Sequence, residues 1–341
     1  MSILTDDELI NAWLDWKLYN QGRADGTVSK YRQYIQRLAD FLGQHDRLLI
    51  SADYDALRQF AGEHAFKVLR MTPRARRPLV ACIRGFYEWA HDNGHIASNP
   101  AKRLEYPRTG RALPKALMLG DAEKLLMQPD LCTFCGVRDV AMLATLFGTG
   151  LRVSGLVRMN ESDLMFYQDT TGMDRLAIRV SEKGGHERFL PVPDDTMLLI
   201  RAYLGHEDMR QIDRNLEDGD RVLWVSVRNR TVPLHDYYGE ARRITAWSID
   251  NMLKRYGRAA GIQEDRLHAH AARHLYGTEM MEDDVDLITL SQLMGHSSTD
   301  TTKIYTGTAL RRLQRAVDKS NPLAKIRTPA TGLRKLLEKS P

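Results

Sequence analysis

The sequence predicts a mainly α-helical protein with one small β-sheet, divided into a helical N-terminal domain and a mixed α/β C-terminal one. Three observations carry that prediction. Apolar residues recur at helical spacing, without strand-like alternation, up to residue 110. A Pro- and Arg-rich stretch then breaks the pattern. Beyond it, one pair of β-prone runs flanks a Gly-Gly turn inside otherwise helical periodicity. At 341 residues the chain suits two domains better than one.

Element by element, Gly26-Thr27 offers an N-cap, after which Tyr31, Tyr34, Ile35, Leu38, Phe41 and Leu42 keep helical spacing until Gly43. A second helical pattern covers Tyr54 to about Leu69. A third runs from Pro78 through Leu79, Cys82, Ile83, Phe86, Tyr87 and Ala90 to Asn93-Gly94. Together they predict a small helical bundle over residues 1–106. From Asn99-Pro100 to Pro114 the chain reads as an extended basic linker between domains, centred on residues 107–116. The second domain, 117–310, opens with helical patterns at Asp121–Leu126 and Val137–Phe147. Leu176–Val180 and Arg188–Val192 flank Lys183-Gly184-Gly185 and predict a hairpin. Helical spacing returns at Ser248–Arg258 and dominates from His274. The remainder, 311–341, is basic and interrupted by proline. It is too short to fold alone and is expected to dock on something.

Composition narrows the function. Apolar residues make up 43% and charged residues 27%, an ordinary globular mixture. No run approaches the roughly 18 apolar residues of a membrane span. The start of the chain is acidic and lacks a signal-peptide pattern, and three cysteines suit a reducing compartment, so a cytoplasmic protein is expected. The net charge of +5 permits a polyanionic partner. Its distribution says more: from His64 to Arg111 ten Lys/Arg face three acids. That is the footprint of a phosphate-backbone binder, or of a solvated helix face. Gly205–Asp220 is acid-rich and reads as an exposed insertion away from any nucleic acid.

Residues that could carry chemistry lie mostly in the second domain. His268, His270 and His274 invite a metal reading, but no acid lies between them and Arg273 sits in their midst, which disfavours a cation. Cys132-Thr133-Phe134-Cys135 is a lone pair of thiols without a second pair. Arginine beside histidine suits a phosphate instead, because its planar fork matches two phosphate oxygens and its charge persists at all working pH. A second arginine, Arg152, follows Gly148-Thr149-Gly150 in a glycine-rich turn. Lys183 stands at the hairpin tip, and Leu293-Met294-Gly295-His296 ends a helical pattern before Tyr305.

In this order, Arg152, Lys183, His270-x-x-Arg273, His296 and Tyr305 closely resemble the signature of the tyrosine recombinases, the phage-integrase family. Thr149–Ser154 resembles its first arginine box, His270–His274 its second, and Val285–Thr306 its nucleophile segment. Thr27–Leu42, Ile83–Tyr87, Asn99-Pro100 and Leu113–Leu117 are similar to its core-binding domain and junction. The resemblance covers roughly residues 5–310 and implies a SAM-like core-binding domain and a catalytic domain closing as a C-shaped clamp on DNA. It makes Tyr305 the nucleophile, Lys183 the general acid, and Arg152, Arg273, His270 and His296 the groups that hold the phosphate, without metal or cofactor. Arg74, Arg76, Arg77 and Arg84 are the candidate DNA contacts of the first domain. Two departures stand out: Gly155 where members usually carry an acid, and Ala272 in place of leucine.

The implied partner is double-stranded DNA with a short inverted-repeat core site. A homotetramer on two such sites is expected, monomeric off DNA, with the 311–341 tail docking on a neighbouring protomer and with room for a helper protein. The activity implied is integration, excision or resolution of a mobile element or replicon through a Holliday junction. Two other readings stay open at this point: a strand-relaxing type IB topoisomerase-like enzyme using the same nucleophile, and a catalytically weak DNA-binding accessory protein.

Overall fold

The computed structural model describes residues 5–110, 116–181, 187–295 and 307–330. The chain separates into two compact units, Met1–Leu113 and Pro114–Pro341.

The first unit is all helical among its described residues. Helix α1 (Asp6–Asp15) starts on a capping box, with Thr5 accepting from the Glu8 amide while the Glu8 carboxylate accepts from the Thr5 amide at 2.8 Å. Its apolar face buries Leu9, Ile10, Trp13 and Leu14. Helix α2 (Asp25–Gly43) begins two residues before the expected Thr27, which lies inside its first turn. The second helical pattern is broken: α3 (Tyr54–Gln59) passes through a π-helical turn at Phe60–His64 into the short α4 (Ala65–Lys67). Helix α5 (Pro73–Asp92) starts five residues earlier than Pro78 suggests. Thr72 caps it, Pro73 takes the first position, where no amide partner is needed, and Pro78 is carried inside. Trp13 meets Phe86 edge-on at 5.4 Å in the core, and the Tyr87 hydroxyl donates to the Leu49 carbonyl at 2.9 Å.

The second unit is built around α7 (Phe134–Thr149), an apolar helix buried along nearly its whole length. Helices α6 (Leu119–Leu126), α8 (Val153–Arg158), α9 (Asp194–Gly205), α10 (Ala246–Ala259) and α11 (Ala269–Glu282) surround it, followed by α12 (Leu287–Met294) and α13 (Gly307–Ser320). The expected hairpin is present as β2 (Asp174–Ser181) and β3 (Glu187–Pro191), paired antiparallel with Ala177 opposite Pro191. A third strand, β1 (Leu164–Gln168), pairs with β2 on its other edge. Asp139, wholly buried on α7, accepts from Arg138 at 2.6 Å, Arg255 at 3.0 Å and the Tyr256 hydroxyl at 2.8 Å, tying α7 to α10. The acid-rich 205–220 stretch is largely exposed, yet it is pinned by Met209 and by buried Arg214, whose guanidinium donates to the Val222 carbonyl at 2.9 Å.

Within the tail, residues 312–330 make contacts in their own unit. Leu313 and Val317 of α13, then Leu323 and Ala330, are buried in this unit's own core. Lys325 pairs with Glu279 at 2.9 Å and Asp283 at 3.0 Å, and Arg327 with Glu123 at 2.7 Å. Apolar burial and these ion pairs are satisfied within one chain. Residues 331–341 lie outside the described residues.

Candidate functional site

Two tight turns set the site. Helix α7 ends on Gly150 in the left-handed conformation (φ +62°), and α12 ends on Gly295 (φ +63°). Gly150 leads directly to Arg152, which takes the extended N-cap position of α8 and points an exposed guanidinium outward. Arg273 projects from the first half of α11 and is only 3% exposed.

The two arginines are held crosswise. Arg273 donates to the Gly150 carbonyl at 2.9 Å, while Arg152 donates to the Gly295 carbonyl at 3.2 Å. Arg273 thus bonds the glycine turn of the Arg152 motif, and Arg152 bonds the glycine turn that closes α12. Arg273 also donates to the Met294 carbonyl. The acceptors at Met294 and Gly295 sit at the C-terminal end of α12. There the last carbonyls lack helical partners, and the helix dipole places about half a negative charge. That end therefore offsets the repulsion between neighbouring guanidiniums. The exposed guanidinium of Arg152 is left able to meet an anion.

His270 lies in the first turn of α11, exposed, with its ring 4.6 Å from the His274 ring in an edge-on arrangement. Partial burial, and then the charges of His274, Arg273, His268 and Arg152, hold its pKa below the usual histidine value of 6.5. The ring is accordingly neutral at pH 7, with a nitrogen able to accept a proton. His268 has a structural job. It is the N-cap of α11, and its Nδ1 accepts from the Ala271 amide at 3.0 Å.

Arg152, Arg273 and His270 are thus gathered around the N-terminal half of α11 and the end of α12. Lys183, His296 and Tyr305 lie outside the described residues, which flank them at Ser181 and Glu187 and at Gly295 and Gly307. Gly155 sits on α8, where a Cβ would come within 3.0 Å of the buried Leu151 side chain. Any larger residue there would need Leu151 to move. The Gly295 carbonyl, rather than an acid at 155, is what Arg152 contacts.

In the first unit the four candidate DNA arginines separate. Arg74 is exposed. Arg76 donates to the Gly62 carbonyl at 3.2 Å and Arg84 to the Leu104 carbonyl at 2.9 Å. Arg77 and Arg84, seven residues apart on one face of α5, both lie over the Tyr106 ring, at 5.2 and 5.5 Å. Three of the four therefore also serve the unit's own packing, with Arg77 and Arg84 strapping the 104–107 segment to α5.

Sequence reasoning passed over Arg188 and Tyr276. Arg188, on β3 and 6% exposed, donates to the carbonyls of Gln292 at 3.1 Å and Leu293 at 2.5 Å. Tyr276 is fully buried behind the arginines, its ring pressed against Gly150. The signal available for Arg188 was a cation at the start of a β-prone, otherwise apolar run.

The sequence pattern of the phage integrase family matches residues 118–311. Tyrosine recombinase XerD of Xanthomonas campestris pv. campestris is 31% identical over 312 residues, covering 91% of this chain and 90% of that protein. Among solved structures, the XerH site-specific recombinase bound to difH substrate aligns with a TM-score of 0.60 at 16% identity, covering 93% of this chain and 85% of that one. A lambda integrase tetramer bound to a Holliday junction aligns with a TM-score of 0.60 at 15% identity, covering 89% and 80%. The chain belongs to the phage integrase family of tyrosine recombinases.

Proposed function

We propose that this tyrosine recombinase cleaves and rejoins DNA at specific sites, with Tyr305 as nucleophile. The observation that carries the reading is the crosswise pairing of Arg152 and Arg273 beside a neutral His270: two forks aimed from one helix end, ready for a phosphate. The Tyr305 oxygen attacks phosphorus and forms a 3′-phosphotyrosine. The 5′-oxygen leaves with a proton from Lys183, and His270 accepts the proton of the tyrosine. Arg152 and Arg273 meet the charge that builds on the non-bridging oxygens, each worth about 3–4 kcal/mol by analogy with oxyanion-hole donors. His296 adds a hydrogen bond to the same phosphate. The ester energy stays in the protein–DNA bond, so a 5′-hydroxyl from a partner strand reverses the step and exchanges strands.

The helical first unit, with Arg74 on its surface, supplies phosphate contacts, and the 107–116 linker joins it to the catalytic unit. A tetramer on two inverted-repeat sites, passing through a Holliday junction, is supported by the likeness to the lambda integrase assembly. A monomeric state off DNA, a helper protein and a cytoplasmic location belong to the same reading. Among the described residues no helix is long and apolar enough to cross a membrane. The relatives are recombinases, which favours this reading over a topoisomerase-like or silent one.

The test is a covalent adduct on nicked suicide duplexes drawn from the DNA flanking the gene. Wild type is expected to form an adduct that survives denaturation, and Tyr305→Phe none. An equal adduct yield from both would remove Tyr305 as nucleophile.

A further inference from the structure

Arg188 stands out because the chemistry just described does not use it. A buried guanidinium is costly unless its donors are satisfied, and here β3 spends one on the far end of another helix. Its Nη1 reaches the carbonyls of Gln292 and Leu293, more than one hundred residues away in sequence. The next two carbonyls along the chain, those of Met294 and Gly295, accept from Arg273 and Arg152. Four consecutive carbonyls at the end of α12 are thus shared among three arginines. Arg188 holds the inner pair, and Arg152 and Arg273 hold the outer pair.

We infer that Arg188 is a positioning residue for strand cleavage. It fixes the end of α12 and, through the carbonyls of Met294 and Gly295, aims the forks of Arg152 and Arg273. Buried to 6% exposure, it acts through the helix end rather than on the phosphate. Its place on β3 gives the anchor rigidity, since β3 is paired along its length with β2. Lysine at 188 would retain the charge but offer a compact donor able to serve one carbonyl rather than span two. Without any donor, the carbonyls at 292 and 293 lose their partner and the end of α12 shifts. Displacement of a positioning group by about 1 Å costs a reaction about 100-fold in rate.

The inference rests on the recombinase reading, and two readouts keep them separable. The first needs no catalysis. Hydrogen exchange of the full-length protein is expected to quicken in Arg188→Met at the C-terminal amides of α12, including Gly295, which bonds Ser291 in the intact protein. Helix α7, with its own buried packing, is expected to stay protected. The second readout is single-turnover cleavage of the suicide duplex at saturating enzyme. Arg188→Met is expected to lower the rate constant about 100-fold with DNA affinity within about threefold of wild type, and Arg188→Lys to recover part of the rate. Combined with Arg152→Lys, the losses are expected to be less than multiplicative, since both changes act on one helix end.

If Arg188→Met folds poorly, Arg188→Lys alone still decides the matter through the same coupling with Arg152→Lys. Unchanged exchange in α12 would overturn the inference, as would a loss confined to the amplitude of cleavage with the rate constant intact. A wild-type protein that formed no adduct would sink the recombinase reading instead, leaving the exchange experiment to judge the hold of Arg188 on α12.

Discussion

Replacing Gly150 with alanine perturbs the tightest point of the site. The residue sits at φ +62°, where an L side chain costs about 1–2 kcal/mol. Its new Cβ would stand 2.5 Å from the Tyr276 ring, which is fully buried and has nowhere to withdraw. Overpacking of this kind costs about 1–3 kcal/mol. Taking a central sum of about 3 kcal/mol, a unit of this size should lose about 6–12 °C in its midpoint. Calorimetry of the full chain, following the transition of the second unit, measures it. Gly155→Ala is the control: its φ is ordinary, its Cβ would come within 3.0 Å of the Leu151 side chain, and it lies in α8. Helix propensity returns about 1 kcal/mol there against a small displacement, so a change within about 1 kcal/mol is expected. Because the Gly150 carbonyl accepts from Arg273, cleavage should fall in Gly150→Ala even well below its melting point. A Gly150→Ala midpoint within about 2 °C of wild type would refute the reasoning, since even the backbone strain alone exceeds it.

Asp139→Asn should destabilise the second unit by about 3–5 kcal/mol, because the largely buried Arg138 would lose the carboxylate it shares with Arg255 and Tyr256. A urea titration showing less than about 1 kcal/mol would contradict that network's role. The depressed pKa of His270 fixes the sign of its pH effect. The unfolded chain binds that proton more readily, so its contribution to stability is intact above the ordinary value of 6.5 and is lost as pH falls below it. Cleavage should likewise decline on the acid side, with an inflection below that value which disappears in His270→Gln; persistence of the limb in that variant would assign it elsewhere. Leu323→Ala should cost about 3 kcal/mol by opening a cavity beside α7, read from the same calorimetry. A negligible effect would mean that the 321–330 segment leaves its own unit in solution.

The helices that were legible in the sequence were those with a plain apolar stripe. Tyr34, Ile35, Leu38, Phe41 and Leu42 are all buried on α2, as their spacing requires. Where two signals competed, the reading slipped. Pro78 resembles a helix start, yet Thr72 and Pro73 supply the actual cap and first residue. Strand β1 left no alternation to find, because only Leu164 is buried on that sheet edge. The tail's contacts with its own unit were not legible, because Leu323 and Ala330 gain their environment from distant helices rather than from neighbours in the chain. In the site, Arg152, His270 and Arg273 could be named from motif order. Their partners could not: Arg273 and Gly150 are 123 residues apart, Arg152 and Gly295 are 143 apart, and no local pattern encodes such pairings. Arg188 was hidden for the same reason.

The crosswise bonds between two glycine turns and two arginines also bear on how the protein is made. Synthesis delivers Arg152 long before Gly295 exists to receive its bond, and Gly150 waits equally long for Arg273. A nascent chain that has emerged only as far as α10 carries one fork without its counterpart and without the helix end that offsets its charge. The held pair of arginines comes into being only when the last third of the chain has folded back on the middle. Incomplete translation products and fragments cut before α12 therefore lack the two carbonyls, at Met294 and Gly295, that hold the arginine pair in place.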